Sequence, residues 1–268
     1  MSTVRFTKMH GAGNDYIYVD ADRYPIENPS EAARILSDRH KGIGGDGLVL
    51  FGKSHGGGSD FYMRIFNADG SEALMCGNAA RCVGRYLYEK GLAADPAVRL
   101  DTRSGVKKLS VRLQAGRPVG VNVDMLVPSF CDPALFNEAE DPGFGYFVSM
   151  GNPHYVIFAD SIDSVESRGP VLERHAAFPQ RCNIEFARQE GPSEFTVRVW
   201  ERGSGITQAC GTGACAVAAA AFKTGRAPRR CTVNMDGGTL FLEWRESDSH
   251  MILGGPAEIV FEGEFNMK

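Results

Sequence analysis

The chain of 268 residues has no apolar run long enough to cross a membrane as a helix, and no basic run longer than Arg229-Arg230. Its 33 acidic residues outnumber 29 basic ones, for a net charge of −4. These absences argue against a membrane partner and against a nucleic-acid surface. Metal-ligand spacing is missing too, with no Cys-x-x-Cys pair and no His-Glu-x-x-His, so no metal is expected. His10, His40, His55, His175 and His250 therefore read as structural or exposed side chains. Seven cysteines make an odd count that fits neither a disulfide framework nor a zinc site. Cys82, Cys131, Cys182, Cys215 and Cys231 read as small buried hydrophobes. The opening Met-Ser-Thr-Val-Arg-Phe lacks the character of a signal peptide, which makes a cytoplasmic enzyme the expectation.

What is present centres on residues 209–225, where Cys210 and Gly211 precede a run of Ala, Val and Phe that is apolar all round a helix. Such a helix must be buried, with Gly225 as its stop. A cysteine at its mouth meets the unpaired N–H groups and the positive end of the helix dipole, which favour a thiolate or a bound anion. The pattern occurs twice. Residues 76–91 overlay it without a gap, Cys76 on Cys210, Val83 on Val217 and Gly91 on Gly225, half the length of the chain away. Arg64 to Gly70 overlays Arg198 to Ser204 at the same offset, and Gly13-Asn14 matches Gly151-Asn152.

The remaining pattern is mostly strand-like, with alternation near 4–9, 16–19, 48–51, 61–66, 98–102, 106–113 and 119–127 in the first part. It continues near 146–150, 155–159, 183–188, 195–200, 231–235, 239–244 and 257–262. Asn28 as cap and Pro29 as first residue open a helix that runs to about Arg39, and a second short helix is expected near 170–177. Gly42 to Gly47 spells G-x-G-x-x-G, but it follows a helix and opens a strand, the reverse of a dinucleotide fingerprint, so a tight glycine turn is expected. The fold expected is α+β, two pseudo-symmetric domains, each a mainly antiparallel sheet wrapped around a central helix. The halves are set at 1–118, with an option for 258–268 to return to the first, and 119–257.

Two cysteines at equivalent helix mouths suit inversion of a carbon centre. A thiolate takes the α-proton of an amino acid from one face and the opposing thiol returns a proton to the other, while helix-end N–H groups hold the carboxylate. This logic needs no cofactor.

His-Gly-Ala-Gly-Asn-Asp (10–15), Phe-Asn-Ala-Asp-Gly-Ser (66–71), Met-Cys-Gly-Asn-Ala-Ala-Arg-Cys (75–82), Gly-Asn-Pro-His (151–154), Glu-Arg-Gly-Ser-Gly (201–205) and Ala-Cys-Gly-Thr-Gly-Ala-Cys (209–215) together resemble the diaminopimelate epimerase family, in order and along nearly the whole chain. The resemblance implies a PLP-independent enzyme that interconverts LL- and meso-diaminopimelate on the route to lysine and peptidoglycan, with a small amino-acid substrate and a homodimeric assembly. It implies Cys76 and Cys210 as the acid/base pair, and Gly77, Asn78, Gly211 and Thr212 around the reacting carboxylate. Asn14, Asn67, Asn152, Asn183 and Arg202 join the substrate-binding set, Arg202 by its planar fork. Glu201 holds an ammonium or tunes a sulfur, and His154 lies beside the site. The alternative is a racemase of the same fold for histidine or proline.

Overall fold

The computed structural model describes residues 2–267, without the side chains of Ser2 and Met267. The chain divides into two compact units, 1–123 with 255–268, and 124–254. The sequence pattern places these junctions at 118/119 and 257/258. Pro118 lies within a strand, which carries the first unit five residues further.

In the first unit, β1 (Ser2–Gly11) pairs antiparallel with β2 (Asn14–Asp20) and with the C-terminal strand Glu258–Met267. Helix α1 (Pro29–Ser37) crosses over to β3 (Gly47–Lys53), which runs parallel to β2. Antiparallel β4 (Phe61–Asn67) follows, then the short β5 (Glu72–Ala73) and α2 (Gly77–Glu89). The meander β6 (Ala97–Asp101), β7 (Lys107–Gln114) and β8 (Arg117–Asp124) completes it, with β6 parallel to β4.

Period-two alternation shows how the two helices share this sheet. Ile17, Val19, Leu48, Leu50 and Phe66 form one cluster with Ala32, Ala33 and Leu36 of α1. Side chains of the other parity face α2, as the edge contact of Phe51 with Tyr86 shows. Both faces of β2 and β3 are thus covered, which is why these strands are apolar without interruption over Leu48–Phe51.

The second unit repeats this order. β9 (Tyr146–Ser149) pairs antiparallel with β10 (Pro153–Phe158), α3 (Val165–Glu173) crosses to β11 (Asn183–Gly191), and β11 runs parallel to β10. β12 (Glu194–Glu201), β13 (Gly205–Ile206) and α4 (Gly211–Lys223) follow, then β14 (Arg230–Met235), β15 (Gly238–Trp244) and β16 (Met251–Gly255). β14 is parallel to β12, as β6 is to β4. Ile184 and Phe186 of β11 face Val165 and Leu172 of α3 in one cluster, and α4 packs against β9, β10, β11, β14 and β15.

The central helices end alike. Gly91 (φ 68°) and Gly225 (φ 72°) take the left-handed conformation just past α2 and α4. The next N–H groups reach back, Leu92 to Leu87 O and Arg226 to Ala221 O, closing a Schellman-type cap that a β-carbon would strain.

Three local expectations change. The helix expected at 170–177 is α3 at 165–173, so Pro170 lies inside it rather than at its start. An interior proline costs about 3 kcal/mol. Burial of Val165 and Leu172 offsets that at roughly 1.5–3 kcal/mol each. The neighbouring Gly169 also lets the Trp200 side chain lie against the helix, where a β-carbon would come within 2.5 Å. β16 is missing from the strands expected, yet its backbone pairs with β15 over Met251–Gly254. Cys131 is exposed, on an irregular segment with no core to enter.

Candidate active site

Each central helix begins at a cysteine. Cys76 is the N-cap of α2 and Cys210 that of α4, both with extended backbone, so each sulfur stands beside a first helical turn whose N–H groups find no acceptor inside the helix. All seven cysteines are free thiols.

In the first unit, Asn14 Oδ1 accepts from Cys76 Sγ (3.4 Å) and from Asn78 Nδ2 (3.3 Å), which draws three predicted residues into one cluster. Asn78 is buried and its Oδ1 accepts from Arg81 (2.7 Å), a wholly buried guanidinium that also donates to Pro256 O. The other end of Asn14 donates to Asp46 Oδ2 at 2.6 Å, and the Asp15 N–H donates to the same oxygen. Arg39 bridges Asp15 and Asp46, and Lys8 pairs with Asp15 at 2.6 Å. Burial pushes the Asp15 carboxyl up, but Arg39 and Lys8 outweigh it and hold it below the usual range. Asp46 comes from the Gly42–Gly47 segment, which is the glycine turn expected between α1 and β3. A β-carbon on Gly42 would stand 2.4 Å from Ile35 O, and one on Gly47 2.2 Å from Phe66 O. Asn67, the last residue of β4, donates to Ser71 Oγ in the turn that follows. Gly77 is the first, buried residue of α2.

In the second unit, Cys210 Sγ accepts from the Gly213 N–H (3.4 Å) and lies 3.5 Å from Thr212 Oγ1. Asn152 Nδ2 donates to that hydroxyl at 3.4 Å, while Asn152 Oδ1 faces His154 Nε2 at 3.2 Å. Gly211 is the first, buried residue of α4. Burial raises the Cys210 thiol well above its ordinary value. The carboxylates of Glu201 and Glu185 add to the rise, while Thr212 and the Gly213 N–H oppose it. Burial likewise raises Glu201, against the hydroxyl of Thr207 that donates to it.

Asn183 and Arg202 are held together by main-chain bonds. Asn183 Oδ1 accepts the Arg202 N–H (2.9 Å) and its Nδ2 donates to Pro153 O (2.8 Å), which leaves one N–H and one lone pair of the carboxamide for a ligand. The Arg202 guanidinium is exposed and donates to Gln180 O. Glu173 fixes this corner from α3 by accepting from Trp200 Nε1 (2.8 Å) and from the Gly203 N–H (3.1 Å).

Sequence reasoning missed Asp46 and Glu185. Glu185 is wholly buried, 2.6 Å from His154 Nδ1, on the β11 face that meets α4. The duplication alone carries no signal for it, because the equivalence of these strands rests on their register. The register that sets Tyr16 opposite Gly47 and His154 opposite Asn183 places His154 over Tyr16 and Glu185 over Val49.

The profile of the family described as "Diaminopimelate epimerase" matches residues 6–130 and 146–260. Diaminopimelate epimerase of Bacteroides thetaiotaomicron is 53% identical over 263 residues, covering 97% of each chain. That of Parabacteroides distasonis is 52% identical over 264 residues, again with 97% of each covered. Among solved structures, a Bacillus anthracis protein of the PhzF phenazine-biosynthesis family matches with a TM-score of 0.76 over 100% of both chains, at 17% identity, a likeness of fold. The chain belongs to the diaminopimelate epimerase family.

Proposed function

We propose that this chain inverts one α-carbon of diaminopimelate, interconverting the LL and meso forms on the route to lysine and peptidoglycan, with Cys76 and Cys210 as the proton-transferring pair. Membership of the family makes the chain an isomerase. The observation that carries the two-thiol reading is the repetition of one device. In each unit a cysteine caps the central helix, with an asparagine carboxamide bonded to the sulfur or to the hydroxyl beside it.

In the forward step one sulfur, as thiolate, removes the α-proton. Negative charge spreads onto the substrate carboxylate, where N–H groups of the first turns of α2 and α4, at Gly77, Asn78, Gly211 and Thr212, stabilise it. The other sulfur, as thiol, delivers its proton to the opposite face. Each sulfur must come within about 3–3.5 Å of the reacting carbon, so the catalytic complex requires roughly 6–7 Å between them. The distal amino-acid head is assigned to Asn67, Asn152, Asn183 and Arg202; a substrate lacking that head would leave the buried carboxamide of Asn183 short of a partner, at about 1–3 kcal/mol. The family resemblance supports a cytoplasmic homodimer as part of the same reading.

Incubation with LL-diaminopimelate in D₂O, followed by NMR at Cα, tests the reading. Exchange and epimerisation are expected from the unsubstituted enzyme and from neither Cys76→Ala nor Cys210→Ala. Near-full turnover in either variant, or faster racemisation of histidine or proline, overturns it.

A further inference from the structure

The two units handle the asparagine beside their cysteine in opposite ways. In the first, Asp46 can only accept, so Asn14 turns its N–H toward Asp46 and its oxygen toward Cys76. In the second, Asn152 turns its oxygen toward His154 and its N–H toward Thr212. That orientation requires His154 Nε2 to carry a proton. Nδ1 lies 2.6 Å from Glu185 Oε1, and a carboxylate there needs a second proton on the ring.

We propose that Glu185 is a positioning residue that keeps His154 doubly protonated and thereby fixes the direction of a chain of hydrogen bonds running from His154 through Asn152 and Thr212 to Cys210. The imidazolium donates to Asn152 Oδ1, Asn152 Nδ2 donates to Thr212 Oγ1, and the Thr212 hydroxyl is left to donate to Cys210 Sγ. Together with the Gly213 N–H, it offers two donors to the thiolate that Cys210 becomes during turnover. If His154 were neutral with a lone pair on Nε2, Asn152 would flip and Thr212 would donate to its oxygen. Cys210 would then face an acceptor, as Cys76 does.

Three observations support a role beyond packing. Glu185 and His154 are both wholly buried, in a setting where an ion pair is weak support for stability. Glu185 Oε2 has no hydrogen-bond partner among the described residues, a cost that an apolar residue would not incur. The equivalent positions of the first unit hold Tyr16 and Val49, so the fold does not need the pair. The titratable groups around His154 are Glu185 on β11, Glu201 on β12 and Cys210 at the mouth of α4.

The inference rests on the proposed epimerase reading, and Glu185→Gln tests it separately. Removing a carboxylate near Cys210 by simple electrostatics would make the thiol ionise at lower pH. Here the imidazolium charge disappears with it and a donor is lost, so the pH profile of Cys210 alkylation should move to higher pH. kcat should fall about tenfold to a hundredfold with little change in KM, and Glu185→Asp should restore part of it. In the unsubstituted enzyme, ¹⁵N-labelled His154, assigned against His154→Gln, should show both ring nitrogens protonated at pH 7. A neutral ring with an unprotonated Nε2, or a Glu185→Gln profile that moves to lower pH, overturns the assignment. The ring measurement holds even if the variant fails to fold. Loss of diaminopimelate exchange in the unsubstituted enzyme would instead overturn the epimerase reading.

Discussion

A β-carbon on Gly213 would stand 2.7 Å from Glu185 Oε1 and 3.3 Å from Cys210 Sγ. The second glycine of Cys-Gly-Thr-Gly is therefore where the first turn of α4 admits a buried carboxylate. Gly213→Ala should push Glu185 off His154, costing about 1–3 kcal/mol of stability and most of the activity. Chemical denaturation and initial rates check this. An alanine variant with unchanged stability and rate would show that the close approach has no role.

Asn14 presents its oxygen to Cys76 because Asp46 accepts from its nitrogen. Asn14→Leu should remove the acceptor and lower kcat/KM about tenfold to a hundredfold, the effect of one or two lost hydrogen bonds at 1.5–3 kcal/mol. Asp46→Asn allows the carboxamide of Asn14 to turn round, so it should produce a smaller loss of the same kind. Steady-state kinetics on both variants test this order.

Much of this was legible in the sequence. The duplication announced two equivalent helices with matched cysteines, and the family resemblance implied the residues that join them, Asn14 and Asn78 beside Cys76, and Asn152 and Thr212 beside Cys210. Glu185 was hidden for a physical reason. In Asn-Ile-Glu-Phe-Ala a glutamate between apolar residues reads as the solvent face of a half-buried strand, whereas β11 is covered by α3 on one side and α4 on the other. Asp46 was hidden inside a glycine turn. Pro170 misled in the other direction, since burial of Val165 and Leu172 outweighs its local preference to begin a helix.

The ionisation of Cys210 is held up by burial and by two carboxylates. Alkylation of Cys210 by iodoacetamide should therefore be slow near pH 8, and should accelerate only above the ordinary thiol range of about 8.5. Glu201→Gln removes one negative charge beside Cys210 and leaves the Glu185–His154 pair in place, so its profile should move to lower pH, opposite in sign to Glu185→Gln. Peptide mapping by mass spectrometry separates Cys210 from the half-buried Cys76 and the exposed Cys131. A Cys210 that titrates as an ordinary thiol would contradict the geometry.

Glu173 ties Trp200 and Gly203 to α3 on either side of Glu201 and Arg202. Glu173→Ala should loosen Arg202 and raise KM for diaminopimelate about tenfold, while kcat changes less. A loss confined to kcat, with KM unchanged, would remove Arg202 from the binding set.

The central claim is that two different thiols serve the two faces of one carbon. During the first moments of reaction of LL-diaminopimelate in D₂O, the thiolate that takes a proton from the substrate holds hydrogen, and the opposing thiol carries solvent deuterium. Product that carries deuterium at its inverted carbon, formed while the remaining LL isomer stays almost unlabelled, is the predicted result. Deuterium appearing equally early in both isomers would mean that a single group serves both faces, and would contradict it.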